Sequence, residues 1–306
     1  MLKGEVYLWS GRHMGGGNTD YTTAKNALES VKNANVTLQS NFSRIFAYDN
    51  KENSEIIFTI HNGRNEYTMW NDQYRLNMVM NQNFFASYCD ENGTPLSQTD
   101  MSDMNGLIRY QVEQELYTKL FRDGDTRKGY SIKGIYQQNE NTKEITFSAP
   151  IPYKFQGVLL EGDATRSWLD DYPIYRYADC LLALAEAKAF LGEDITAEIN
   201  EVRERAYGTE YFNAHRAEVA YPNDTDAAFY TNNRFVGSDA DPLEAILKER
   251  MREFLFEGKR WYDIRLMGDE YATKYSNANA SRLLWPIDEN TLGENEALKQ
   301  TPGYEN

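Results

Sequence analysis

The strongest constraint on this 306-residue chain is the apolar periodicity of its last quarter. From Pro242 it reads PLEAILKERMREFLFEGKRWYDIRLMG, with apolar residues at Leu243, Ile246, Leu247, Met251, Phe254, Leu255, Trp261 and Tyr262. That is the i, i+3, i+4, i+7 spacing of one buried helix face, and it predicts a single long amphipathic helix. Gly258 falls on the same face, where a missing side chain lets another element come close. The opposite face carries Glu249, Arg252, Glu253, Glu257, Arg260 and Asp263, several of opposite sign three or four residues apart. Downstream, LLWPI reads as an extended apolar strand before a Pro302-Gly303 stop.

The rest of the chain also has globular composition, with 14 Phe, 22 Tyr and 5 Trp among 41% hydrophobic residues, so disorder is excluded for most of it. A formal net charge of −15 offers no concentrated Lys/Arg footprint for nucleic acid and none for an anionic bilayer. Cys180 lies among Ala178, Leu181, Leu182 and Ala185, the setting of a small buried thiol, whereas Cys89 falls in a polar stretch. His13, His61 and His215 have no zinc-binding spacing, and no cofactor-binding motif is present, so neither metal nor cofactor is expected. No run of about 18 apolar residues could span a membrane. The chain opens with helical periodicity at once and with no leader before it, as a chain truncated at its N-terminus would.

Two helical hairpins are predicted. The first joins Leu2–Ser10 to a helix from Asp20, its N-cap, to Asn33, through the Gly-rich linker HMGGGNTD. The second runs from Pro173, in a first helical turn, to Leu191, stops at Gly192, and restarts near Thr196 until Gly208. Small residues followed by an aromatic and a Gly recur in both (GEVYLWSG at 4–11, AEAKAFLG at 185–192), which suits the close stacking of tetratricopeptide-like repeats. Between the hairpins, SEIIFTI (54–60) reads as a short strand. Residues 61–105 read as loops with short helical pieces, Leu107–Phe121 as a helix, and Tyr130–Tyr136 and Ile145–Phe147 as extended. The expected fold is mainly α: tetratricopeptide-like hairpins, an α-α superhelix, with long irregular loops and a few short strands.

Four segments together resemble the SusD/RagB family of Bacteroidetes surface lipoproteins: YPIYRYADCLLALAEAKAFLGE (172–193), INEVRERAYG (199–208), ILKERMREFLFEGKRWYDIRLMG (246–268) and LLWPIDENTLGENEALKQTPGY (283–304). The opening LKGEVYLWSG and DYTTAKNAL are similar to that family's central helix pair, and LFRDGDTRKGY to its Asp-x-Arg turn. The resemblance covers about the family's C-terminal two-thirds and implies a single domain over 1–306 that lacks the family's first helices. Within it, 1–33 and 172–208 would be hairpins, 54–160 and 209–240 ligand-facing insertions, and 242–306 the C-terminal motifs. It also implies a non-catalytic protein that captures an oligosaccharide or other nutrient at the outer-membrane surface for a TonB-dependent, SusC-like transporter. The lipid anchor would belong to the full-length parent, since no lipid-accepting Cys precedes Met1.

Glycan capture needs flat aromatic faces beside amides, carboxylates or guanidinium groups. The best cluster is NEYTMWNDQYR (65–75): Tyr67, Trp70 and Tyr74 stand at i, i+3, i+7, with Asn71 and Arg75 as polar neighbours. These five are the expected ligand-binding residues, followed by Phe84, Phe85 and Tyr88. Trp168 and Tyr172 fit a hydrophobic staple at the next helix better than a binding rim, and Trp261 and Trp285 are assigned to the core. Asp123-Gly124-Asp125 resembles half a calcium loop but lacks the remaining ligands. Carboxylates such as Glu249 and Glu253 could suggest a glycoside hydrolase, but nearby arginines would lower the pKa that a general acid needs raised. They are expected to lock the fold. A tetratricopeptide-like scaffold for a protein partner is the other alternative, disfavoured by an insertion rich in aromatics, Asn and Gln.

Overall fold

The computed structural model describes residues 1–66, 68, 86–102, 104 and 111–304. In chain order, α1 (Leu2–His13) and α2 (Gly17–Lys32) form the first hairpin. The middle holds β1 (Ile56–Ile60), α3 (Gln114–Lys119), α4 (Arg127–Ser131), β2 (Ile132–Gln138) and β3 (Ile145–Pro152). Then β4 (Tyr172–Arg176) leads into the second hairpin, α5 (Tyr177–Leu191) and α6 (Thr196–Tyr207). Short helices α7 (Thr209–Ala214), α8 (Arg216–Val219) and α9 (Ala227–Tyr230) precede α10 (Pro242–Glu253), α11 (Arg260–Met267), α12 (Asp269–Lys274) and α13 (Glu289–Glu294).

The hairpins stack as their small residues predict. A Cβ on Gly4 would lie 2.6 Å from Leu28 Cγ, and one on Gly11 2.5 Å from Tyr21 Cε1, so α1 can sit against α2 only with glycine at both positions. α2 packs on α5, which also carries α6 and α10. α5 is therefore buried from Tyr177 to Ala187, and Leu8, Leu28, Leu181, Leu184, Ile199, Val202 and Ile246 share one apolar core. Gly192 ends α5 at φ 74°, where the amides of Gly192 and Glu193 reach the carbonyls of Ala189 and Lys188 at 3.0 and 2.8 Å. Cys180 is a buried free thiol, as expected, raised to about 12 by burial. Cys89 is free but also buried, bridged to Tyr136 rather than lying in an open loop.

Several boundaries differ from the sequence reading. The first turn closes within Met14–Gly16, where the amides of Met14 and Gly16 bond Ser10 O, so α2 starts at Gly17 and Asp20 lies inside its first turn instead of capping it. Pro173 is in a strand, not a helix: β4 pairs antiparallel with β1, Pro173 opposite Thr59, in a two-stranded sheet that tolerates a missing N–H. The first predicted extended segment is shifted by two residues and the second runs on to Pro152, and β2 pairs antiparallel with β3. Of the helix expected at 107–121, residues 107–110 lie outside the described residues, and the described part is helical only in α3.

The long terminal helix is interrupted. α10 ends at Glu253 and α11 starts at Arg260, with Phe256 at φ 67° and Gly258 at φ 73° between them. The turn brings Glu257 O to the Tyr172 hydroxyl, which donates to it at 2.8 Å, and a Cβ on Gly258 would lie 2.8 Å from that hydroxyl. Close approach at Gly258 thus holds, but in a turn. No strand forms at 283–287; that segment is held by paired hydrogen bonds of Gln300 with Ile287, at 2.9 and 2.8 Å. Trp261 packs on the core, whereas Trp285, assigned there too, is 85% exposed.

The charged side of α10 is buried rather than solvated. Seven buried cations (Arg127, Lys154, Arg176, Arg203, Arg205, Lys248, Arg252) meet seven buried carboxylates (Glu55, Asp125, Asp224, Asp239, Glu249, Glu253, Glu257) in one connected network. Arg127 reaches Asp125 and Glu249 at 2.6 Å and Glu253 at 3.1 Å. Arg176 spans Glu55, Glu253 and Glu257 at 2.7, 2.5 and 2.9 Å, tying β1 and β4 to α10. Arg203 joins α6 to Glu249 and Asp239 at 2.8 and 2.7 Å. Burial alone would raise the Glu249 carboxyl, but the Arg127 and Arg203 guanidiniums overrule it and bring it to about 2. Equal numbers and multiple hydrogen bonds per ion make such burial tolerable.

Candidate functional site

A cleft of about 1000 Å³ opens beside the β2–β3 hairpin. Its walls come from five segments: the 3-10 turns at Phe42–Ile45 and Tyr48–Asn50, Asp100, the α4–β2 junction, the end of β3 with the 156–158 loop, and Asp170. Tyr48 stands at the rim, 39% exposed, and half-buried Tyr130 and Phe46 add aromatic surface.

The polar groups are braced. The Tyr153 hydroxyl donates to Asp100 Oδ2, and Lys133 Nζ donates to the same carboxylate at 3.1 Å while lying 3.9 Å over the Tyr153 ring. Burial would raise Asp100, but these two donors hold it below the usual carboxylate range. Burial and that same hydrogen bond push the Tyr153 phenol well above its ordinary value. Arg166 fixes the loops to each other by donating to Asp100 O and Ser102 O at 2.9 Å and to Gln156 O at 3.1 Å.

The floor is continuous with the ionic core. Lys154 donates to Glu253 O and Glu257 Oε1, both at 2.8 Å, with its ammonium over the Phe42 and Phe46 rings. Burial lowers it to about 8, partly opposed by Glu257. Asp170 is buried and raised to about 6, with the Gly157 N–H donating to Oδ2 at 2.8 Å. At the rim Arg44 pairs with Asp49 at 2.9 Å. The cleft therefore presents aromatic edges and fixed charges of both signs, which suits a polyhydroxylated ligand.

All five sequence-predicted ligand residues, Tyr67, Trp70, Asn71, Tyr74 and Arg75, lie outside the described residues, as do Phe84 and Phe85. Trp168 is buried with Met101, Ile151 and Phe155 in the core beneath the β2–β3 hairpin, and Tyr172 points to the 257–258 turn; neither lines this cleft. Asp125 is spent on Arg127, and among the described residues no three His, Cys, Asp or Glu are arranged to hold a metal ion. No helix of the described residues is long and apolar enough to cross a membrane. Sequence reasoning missed Tyr48, Asp100, Lys133 and Tyr153. They come from four separated segments with no shared period, so only β-pairing and the Arg166 brace bring them together.

The SusD family model matches residues 33–267. Among solved structures, B. fragilis NanU is 61% identical with a TM-score of 0.94, covering 100% of this chain and 62% of its own. A SusD superfamily protein from Bacteroides vulgatus ATCC 8482 is 59% identical, also with TM-score 0.94, covering 100% of this chain and 64% of its own. A curated relative, SusD-like protein P38 of Formosa agariphila, is 26% identical over 190 residues, 56% of this chain and 35% of that protein. The chain thus spans less than two-thirds of the length of each.

Proposed function

This chain belongs to the SusD family, and from that premise we propose that it captures a glycan or other polar nutrient without altering it and passes it to a TonB-dependent outer-membrane transporter. The place of action would be the external face of the outer membrane, with a lipid anchor on the full-length protein. The observation that carries the reading is the tyrosine-edged cleft in which Asp100, Lys133 and Tyr153 are held rigid before any ligand arrives. Preorganised polar groups lose little entropy on binding a flexible sugar. The 67–75 segment, with Tyr67, Trp70, Asn71, Tyr74 and Arg75, is proposed to add further ligand contacts.

One observation favours a second reading. Asp170, raised to about 6, and Asp100, held low, line the same cleft, which is the pattern of a glycosidase acid and its partner. Against it, Asp100 is already engaged by Tyr153 and Lys133, and Asp170 is 5% exposed with the Gly157 amide on it. Capture is therefore preferred. A glycan array on the full-length protein identifies the ligand, and affinity gels then compare variants. Tyr48→Ala and Trp70→Ala are each expected to weaken retention about tenfold, ~1.4 kcal/mol, with Tyr48→Ala leaving the melting temperature nearly unchanged. Undiminished retention by Tyr48→Ala overturns the assignment of the cleft, undiminished retention by Trp70→Ala removes the 67–75 segment from the site, and release of shortened sugar from the bound glycan replaces capture with hydrolysis.

A further inference from the structure

One wall of the cleft beside the β2–β3 hairpin lacks a side chain. Gly129, in the middle of α4 (Arg127–Ser131), lines the cleft together with Tyr130 and Lys133 and is exposed there. Its backbone is ordinary right-handed helix, and a Cβ built on it would meet no atom of the described residues within 4 Å. Neither the chain's conformation nor its packing therefore demands glycine at this position. Local stability argues against it, because a glycine inside a helix loses more backbone freedom on folding than alanine does. Gly157, in the same cleft, is the opposite case. It sits at φ 64°, and a Cβ there would lie 2.7 Å from Ser167 O, so the fold itself fixes that glycine. Among the described residues one other glycine is as unconstrained as Gly129: Gly293 in α13, which does not line this cleft.

Resting on the assignment of this cleft to a glycan, we propose that Gly129 is a specificity-determining residue: its missing side chain leaves room for a sugar ring to lie against the α4 backbone. Glycine is the residue that lets a backbone and a ligand come into direct contact. A pyranose has C–H groups on its faces and hydroxyls around its edge. One face can rest on the bare Cα and on Tyr130, while the edge hydroxyls meet the braced pair of Asp100 and Lys133. Any side chain at 129 would project into the space that the ring takes up. Room for the ligand and stability of α4 thus pull in opposite directions at this one position.

The probe is an array of immobilised oligosaccharides, applied to the full-length protein and to its Gly129→Ala, Gly129→Leu, Gly293→Ala and Tyr48→Ala variants, with thermal unfolding of each. Gly129→Ala and Gly293→Ala are both expected to raise Tm by about 1–2 °C, since alanine is the better helix former. Their binding should differ. Gly129→Ala should weaken retention about fivefold and Gly129→Leu by at least about tenfold on the glycans that the wild type holds. Gly293→Ala should bind as the wild type does. Wild-type retention by Gly129→Leu overturns the inference. If Tyr48→Ala loses retention in that same assay, the cleft stays the glycan site without Gly129; if Tyr48→Ala also binds fully, the assignment of the cleft falls as well. A Tm lowered by Gly129→Ala overturns the inference too, because the glycine would then serve a packed neighbour and not a ligand.

Discussion

The two sides of α10 treat buried charge in opposite ways. On one side Glu249 and Glu253 sit among Arg127, Arg176, Arg203 and Arg205, and each carboxylate touches at least two guanidiniums. On the other, among the described residues, Arg250 is the one ion-pair partner of Glu186 and Asp263. Burial is nearly complete in both places, yet Glu249 falls to about 2 while Glu186 rises to about 7. Desolvation is the largest influence on each, and it is overruled only where cations are close and aligned. The balanced side behaves as a lock between the hairpins, the strands and the cleft floor. The unbalanced side leaves Glu186 Oε1 and Asp263 Oδ2 without a hydrogen-bond partner among the described residues.

The largest test of that contrast removes one cation from each side. Arg176→Met strands Glu55, Glu253 and Glu257 with too few partners in a dry interior and should cost about 3–5 kcal/mol. Arg250→Met should cost about 2 kcal/mol, because Glu186 can take up a proton and become neutral where Glu253 cannot. Urea unfolding of both variants at pH 7 measures the gap. Equal losses would mean that the two sides are not different in kind.

The second test is smaller and uses pH. Glu249 lies at about 2 against an ordinary 4.5, so the unfolded chain binds its proton first as pH falls. Its stabilisation is complete above about pH 4.5 and is lost as pH drops towards 2. Glu186 lies at about 7 against 4.5, so the folded chain holds the extra proton between those values. Stability should therefore decline as pH rises from about 4.5 to 7, by on the order of 3 kcal/mol. Glu186→Gln should remove its share of that decline, leaving the part that Asp170, raised to about 6, contributes below that pH, and leave the acid limb intact. A variant that keeps the wild-type slope would place the titrating group elsewhere.

This charge arithmetic was only half legible in the sequence. The alternation of Glu and Arg from 249 to 263 marked a lock, but the partners Glu55, Arg127, Arg176 and Arg203 lie far along the chain, where no local spacing points to them. The hairpins were legible because their small residues and Gly192 act locally. Pro173 was misplaced because YPIYR carries no period, and its strand partner β1 is over 100 residues away. The break after Glu253 was invisible because apolar residues stay in phase across it; it follows from the contact of Tyr172 with the 257–258 turn. Trp285 looked like core because LLWPI reads as a closing apolar strand, yet no strand forms there and Trp285 is exposed. The cleft was missed for the same reason as the ionic partners: its walls meet only in three dimensions.

The smallest expected effect sets buried ions against exposed ones. Arg44 and Asp49 pair at 2.9 Å, the same separation as Arg176 and Glu257, but their side chains are 46% and 71% exposed. Water and salt screen such a pair, and holding two long side chains together costs entropy, so Arg44→Ala should change unfolding free energy by no more than about 0.5 kcal/mol. Arg44 also stands at the rim of the cleft beside the β2–β3 hairpin, the proposed glycan site. Its loss should weaken glycan retention by a factor of about two to five, under 1 kcal/mol. Side-by-side unfolding and affinity-gel measurements check both halves. A loss of stability approaching that of Arg176→Met would show that distance, rather than dehydration, governs these ion pairs, and the contrast between the two sides of α10 would then need another cause.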